Sequence, residues 1–282
     1  MTITGATRVF GLLGDPVAHS LSPRLCNEAF RVLGEDAVYV AWPSDVSRPA
    51  ELMAGLAALG VAGANVTYPL KTAVLPYLAT RSAEVEAVGA VNVLTRQADG
   101  GYRGENTDAP GVVLALQAWL SWSPVGARAV IIGAGGAARA AAWGLLEAGA
   151  AVTMLVRDGG RAASGLPAVW RDRVVLHELG TTAAASALLD ATLVVQATPV
   201  GLDDPEARPL VAPASAPSAS GFELNYGRRL TAFARAWRET GRPCLTGRDL
   251  LTAQAHLALR CWLGRAPDPD TMRNTLGEES PA

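Results

Sequence analysis

"AVIIGAGGAARAAAWGLLEAGAAVTMLVRD", residues 129–158, reads as an apolar strand, a glycine turn, a helix and a second strand. A short apolar run bounded by turn residues suits a strand buried on both faces. "GAGGAA", 133–138, fits G-x-G-x-x-G/A in the setting that gives the pattern meaning, with a strand entering and a helix leaving. Gly133 permits the tight turn, Gly135 lets backbone approach a pyrophosphate, and Ala138 allows close helix–strand packing. Free N–H groups at the helix start attract the anion. The second strand ends in "VRDGGRA". Arg157 and Arg161, four residues apart, can clamp a 2′-phosphate, which points to NADP. Asp158 between them leaves NAD open.

Outward from this unit, short strands continue to alternate with helices, the signature of an α/β protein. Strands are predicted in "TRVFGLLG", "AVYVAWP" and "GANVTYP", and near 173–177, 192–197 and 221–224. Helices are predicted from Ser22, with Ser22 as N-cap and Gly34 beyond the end, and over 49–59, 109–120, 228–240 and 248–263. "SWSPVGAR", 121–128, is the best candidate linker, and 203–220, rich in Pro, Ala and Ser, reads as a surface loop.

The chain has 282 residues, half of them apolar, and a net charge of −2. That suits one large domain or two ordinary ones with a sizeable core. No charged block favours nucleic acid or a membrane as partner. Cys26, Cys244 and Cys261 form no CxxC, and His19, His177 and His256 are scattered, so no metal site is expected. Free thiols and an N-terminus unlike a signal peptide point to the cytoplasm.

Of twenty-four Lys and Arg residues, Lys71 in "GANVTYPLKTAV" is the only lysine. Arginine replaces a structural lysine readily, but not one that must exchange a proton. Asp108 in "GENTDAPG" is a candidate partner, although the same aspartate could simply cap a helix. Asn92 in "GAVNVL" is an amide in an apolar setting that needs partners or a ligand. Ser20 and Ser22 in "GDPVAHSLSP" place hydroxyls around a helix N-terminus, where a carboxylate can sit.

Together "GDPVAHSLSP", "GANVTYPLK", "GAVN", "GENTD", "GAGGAARA", "QATPVG", "ELNY" and "LLTAQA" resemble the shikimate dehydrogenase family, over about residues 10–262. The resemblance implies two α/β domains with a cleft between them. One is a substrate domain, 1–108 plus 248–282, to which the C-terminal helices return. The other is a Rossmann-like, doubly wound nicotinamide-binding domain, 109–247. It implies reversible, NADPH-dependent reduction of 3-dehydroshikimate to shikimate by a monomer or homodimer. Lys71 and Asp108 take the catalytic positions. Ser20, Ser22, Thr67, Asn92, Tyr226 and Gln254 take the substrate positions. Gly133, Ala134, Gly135, Gly136, Ala137, Arg157 and Arg161 take the cofactor positions, with Thr198, Leu224, Gly247 and Leu250 toward the nicotinamide. Cys26, Gln196, Glu223, Gly227, Arg228 and Leu250 depart from the usual family residues. Two alternatives stay open: an NAD-linked quinate/shikimate dehydrogenase, and a dinucleotide-binding regulatory protein without turnover.

Overall fold

The computed structural model describes residues 2–166, 170, 172–277 and 279. The chain divides into two compact units: Met1–Thr107 with Leu251–Gly277, and Asp108–Leu250 with the segment that holds Glu279. The first contains β1 (Arg8–Gly14), α1 (Ser22–Leu33), β2 (Ala37–Pro43), α2 (Pro49–Ala58), β3 (Gly63–Val66) and α3 (Leu70–Ala73). After these come β4 (Thr80–Arg81), α4 (Ala83–Val88), β5 (Val93–Arg96) and β6 (Tyr102–Glu105). The second contains α5 (Asp108–Leu120), β7 (Arg128–Ile132), α6 (Gly136–Glu147), β8 (Ala151–Val156), α7 (Gly159–Gly165) and β9 (Val174–Glu178). It continues through α8 (Thr182–Leu189), β10 (Leu193–Gln196), β11 (Ser220–Glu223), α9 (Ala232–Glu239) and β12 (Cys244–Leu245). Helix α10 (Gly247–Leu263) starts in the second unit and ends in the first, followed by α11 (Pro269–Leu276).

The first unit's sheet has the order β2-β1-β3-β5-β6-β4. β1 pairs in parallel with β2 and β3, and β5 runs antiparallel to β3 and β6. Alternation along β1 serves both faces. Phe10 and Leu12 join Leu25, Phe30, Tyr39, Leu259 and Met272, while Leu13 joins Met53, Leu56, Val66, Leu70 and Tyr102. The first of these cores explains why the end of the chain returns: Leu259 and Met272 are fully buried against β1 and α1. Burying one such side chain contributes about 1.5–3 kcal/mol.

The second sheet is parallel throughout, in the order β12-β11-β10-β7-β8-β9. Read from β7, this is the 3-2-1-4-5-6 order of a dinucleotide fold. The chain reverses its direction of progress across the sheet between β7 and β10. β7 is buried over Ala129–Ile132, as a two-sided parallel strand requires.

Four expectations change. Ser22 is the first residue of α1 and not its cap. Leu21 occupies the N-cap position, where its apolar side chain has no acceptor to offer, and the Ser20 hydroxyl accepts the Ser22 N–H at 3.2 Å. The stretch 121–128, expected as a linker, lies inside the second unit, and the units divide at Thr107/Asp108, one residue from the 108/109 division that the resemblance implies. The cause is at Gly144 in α6, where a Cβ would lie 2.3 Å from the Ala109 carbonyl oxygen, so α5 packs backbone to backbone on the second unit. The stretch 248–250 and Glu279 also group with the second unit, where Glu279 accepts the Gly227 N–H at 3.2 Å. Finally, 203–220 is more than a surface loop: Val211, Ala216 and Ala219 are buried against Phe233 and Trp237.

Candidate active site

In the first unit the chain turns between β1 and β3, and sequence-predicted residues gather at that edge of the sheet. Ser20 and Ser22 follow β1, and their hydroxyls lie 3.2 Å apart. Since Ser22 is not spent on a cap, both hydroxyls remain a pair. Thr67 follows β3, its N–H donating to the Leu13 carbonyl at 2.8 Å. Gly14 lets the two strand ends meet. A Cβ there would lie 2.4 Å from the Thr67 methyl, and φ is +158°.

Lys71 lies in the short helix α3, half-buried, and its carbonyl accepts the Val91 N–H at 2.9 Å. That bond places the lysine turn beside the approach to β5, where Asn92 sits. Asn92 is 5% exposed. Its Oδ1 accepts from the Thr107 N–H at 2.8 Å, and its Nδ2 donates to the Thr107 hydroxyl at 3.1 Å. A buried amide left without partners would cost about 1–3 kcal/mol. Thr107 therefore fixes Asn92 at the mouth of the sheet. The motif "GENTD" contains Thr107, but only its aspartate carried a chemical signal in the sequence. Asp108 opens α5 and belongs to the second unit. Gln254 is half-buried on α10, in the stretch that belongs to the first unit.

The second unit holds an open cavity of about 1140 Å³ at its own reversal point. Gly133, Ala134 and Gly135 form one wall, Arg157, Asp158 and Arg161 a second, and Ala197, Thr198, Pro199 and Val200 a third. The glycines are needed for different reasons. Gly133 has φ +114°, and a Cβ there would meet the Ala197 carbonyl oxygen at 2.9 Å. Gly135 has an ordinary φ of −71°, and beyond its immediate chain neighbours no protein atom lies within 4 Å of where its Cβ would be. Gly133 is fixed by the fold; Gly135 leaves open space beside free helix N–H groups. Such a cradle fits a pyrophosphate. Gly136 and Ala137 form the first turn of α6 rather than the cavity wall.

Asp158 caps α7, accepting the Arg161 N–H on Oδ1 at 2.9 Å. That engagement turns the feature that had left NAD open into a structural one. Arg157 and Arg161 are exposed at the cavity. Leu224 and Gly247 meet elsewhere: a Cβ on Gly247 would lie 2.5 Å from the Leu224 carbonyl oxygen. Leu250 is buried in the first turns of α10, and Tyr226 is half-buried after β11. These residues do not line the cavity.

Two departures from the family pattern are neighbours on adjacent strands, Gln196 and Glu223. Gln196 is fully buried, and neither of its side-chain polar atoms has a partner among the described residues. Glu223 is 1% exposed, and burial pushes its carboxyl up to about 8. The Asn225 N–H and the Thr231 hydroxyl donate to it at 3.0 and 2.8 Å. Among the described residues no group of three or more His, Cys, Asp or Glu is placed to hold a metal, and no helix is long and apolar enough to cross a membrane.

The family described as the shikimate dehydrogenase substrate binding domain matches residues 12–94. The shikimate dehydrogenase (NADP(+)) of Citrifermentans bemidjiense is 37% identical over 98% of this chain and 97% of its own length. A crystal structure of the Thermus thermophilus enzyme with NADP(H) and shikimate superposes with a TM-score of 0.84. It is 36% identical, covering 95% of this chain and 98% of that one. The 5-ketofructose reductase of a Gluconobacter strain also shares the fold, with a TM-score of 0.85 and 29% identity over 97% of this chain and 99% of its own. The chain belongs to the shikimate dehydrogenase family.

Proposed function

We propose that this protein is an NADP-dependent shikimate dehydrogenase, an oxidoreductase acting on a CH–OH group that interconverts 3-dehydroshikimate and shikimate. The observation that carries the reading is the wall of the second unit's cavity: Arg157 and Arg161 flank open space at Gly135, while the acid between them is used as a helix cap. Two guanidinium groups beside an acid already engaged with backbone suit a 2′-phosphate. The dinucleotide would rest on Gly133–Gly135, with Thr198 nearby, and would supply the hydride.

The remaining chemistry belongs to the chain. Ser20 and Ser22 hold the substrate carboxylate, and Thr67, Asn92, Tyr226 and Gln254 bind the ring hydroxyls. Lys71 and Asp108 supply the acid–base function: the oxygen that gains charge receives a proton from a positioned donor. Asn92 contributes orientation, since Thr107 already fixes its amide. The protein works in the cytoplasm, where the three free cysteines stay reduced, as a monomer or homodimer; sedimentation velocity distinguishes the two.

Initial rates at 340 nm with shikimate and quinate, each with NADP⁺ and NAD⁺, test the assignment. The highest kcat/KM is expected for shikimate with NADP⁺. Faster turnover of quinate with NAD⁺ would replace it by the quinate reading. Cofactor binding without any turnover would leave a regulatory protein.

A further inference from the structure

We infer that Asn225 is a positioning residue of the cofactor cavity, its side-chain amide holding the Thr198–Val200 wall in place. The inference rests on the cofactor reading above and adds a residue to it. Strand β10 ends at Gln196, and its last ladder bonds are Ala197 N–H to the Ile132 carbonyl at 3.0 Å and Leu224 N–H to the Gln196 carbonyl at 2.9 Å. Beyond that point the wall has left the sheet. Pro199 has no N–H to offer, and the Val200 N–H turns back to the Thr198 hydroxyl at 3.3 Å. The Thr198 and Val200 carbonyls both point to Asn225, whose Nδ2 donates to them at 2.8 and 3.2 Å.

The residue that holds the wall is itself held. The Asn225 N–H donates to Glu223 Oε1 at 3.0 Å, and the other Glu223 oxygen accepts from the Thr231 hydroxyl at 2.8 Å. The Asn225 carbonyl accepts the Gly247 N–H at 3.0 Å. Gly247 has no room for a side chain, since a Cβ would lie 2.6 Å from the Asn225 carbonyl carbon. Main chain fixed from both directions leaves the amide to set the wall. The requirement is narrow: an uncharged donor with two hydrogens on a short stem. Aspartate would aim a carboxylate at two carbonyl oxygens, and alanine would leave both without their donor. The wall also touches the glycine turn, the Thr198 methyl lying 3.1 Å from where a Gly133 Cβ would be. Arg157 and Arg161 follow β8, which lies on the far side of β7 from β10. The two ends of the cavity are thus built by different strands.

That separation supplies the test. Dissociation constants of NADPH and of adenosine 2′,5′-bisphosphate, which carries only the arginine end, are measured for wild type, Asn225→Ala and Asn225→Asp, with steady-state constants alongside. NADPH affinity is expected to fall roughly tenfold, the scale of one or two lost hydrogen bonds. The bisphosphate should bind within about twofold of wild type, and KM should rise for cofactor but not for shikimate. Equal weakening of both ligands would mean the substitution loosens the whole unit, and unchanged NADPH binding would mean the wall stands without the amide; either overturns the inference. Should Asn225→Asp fail to fold, Asn225→Ala alone decides between these outcomes. Wild-type protein that binds neither ligand would remove the cofactor reading itself. Wild type that binds both, with variants weakened equally for both, would remove only the role of Asn225.

Discussion

Both sheets gather candidate ligand-binding residues where the chain reverses direction across them, as open α/β sheets do, but they build those places from different material. In the second unit the space is made by what is missing: Gly135 stands beside empty volume, and Arg157 and Arg161 reach into it from the surface. In the first unit side chains are bound to one another, Ser20 to Ser22 and Asn92 to Thr107. A long, uniform cofactor backbone can be held by N–H groups and two charges. A small ring studded with hydroxyls needs donors and acceptors at fixed points, and these need partners of their own. The backbone-built site should tolerate changes that leave its space open, whereas the side-chain-built site should respond to the loss of single groups.

The sharpest test of that contrast is Lys71→Arg. Charge survives, but guanidinium keeps its proton. The expected loss in kcat is on the order of 10²–10⁴, with melting temperature and NADPH affinity unchanged. Turnover near wild type would remove the proton-transfer role and make the lone lysine a coincidence. Arg157→Ala tests the other side. It should raise KM for NADPH roughly ten- to a hundredfold, the scale of one charge-assisted contact, and leave KM for NADH nearly unaltered. Equal effects on both cofactors would mean that Arg157 does not read the phosphate.

The glycine turn allows a finer comparison. Gly135→Ala has an ordinary backbone and no clash, so stability should hold while NADPH affinity falls about tenfold as the methyl enters the cradle. Gly133→Ala meets a positive φ and the Ala197 carbonyl, and should cost about 1–3 kcal/mol of stability. Thermal melting and cofactor titration on both variants would separate space kept for a ligand from space required by the fold. Two identical profiles would dissolve the distinction.

The smallest expected effect is at Glu223. Its folded value, about 8, lies above the ordinary 4.5. Between those values the folded protein holds a proton that the unfolded chain has released, so this group's contribution to stability falls as pH rises through that window. Glu279, whose carboxyl burial also raises, works in the same direction, as does its charge on Glu223. Glu223→Gln keeps the neutral shape. It should melt within a degree or so of wild type near pH 5 and a few degrees higher near pH 8. A difference that does not change with pH would mean that Glu223 stays ionised in the fold.

How much of this was legible in the sequence depends on the range of the interactions concerned. The glycine turn, β7 and α6 announce themselves because strand, turn and helix are local and contiguous. Arg157 and Arg161 follow from that reading, being fixed by the strand end they share. Asn225 was not legible, because its partners stand twenty-five and twenty-seven residues away. The same holds for Thr107, whose value lies in a bond to Asn92, fifteen residues away. Ser22 was misread for a local reason: the helix begins one residue early, with Leu21 at the N-cap position and the Leu25 N–H already donating to the Leu21 carbonyl at 3.1 Å. β5 was missed because a four-residue strand that passes from Val93 and Leu94 to Thr95 and Arg96 carries too little periodicity to be seen, and β6 because Tyr102–Glu105 has one large apolar residue and a glycine.

The contact at Gly144 reaches further than packing. Its missing side chain seats the first turn of α5 directly on α6, so the carboxylate of Asp108 and the glycine turn at 133–135 are carried by one body, sharing a common foundation. A methyl placed in the middle of α6, remote in sequence from every residue with a chemical task, would have to lift the start of α5 and tilt Asp108 with it. Gly144 is therefore a position where an otherwise favourable helix substitution would be selected against for the sake of alignment. A survey of activity that sampled only the polar residues would never find it.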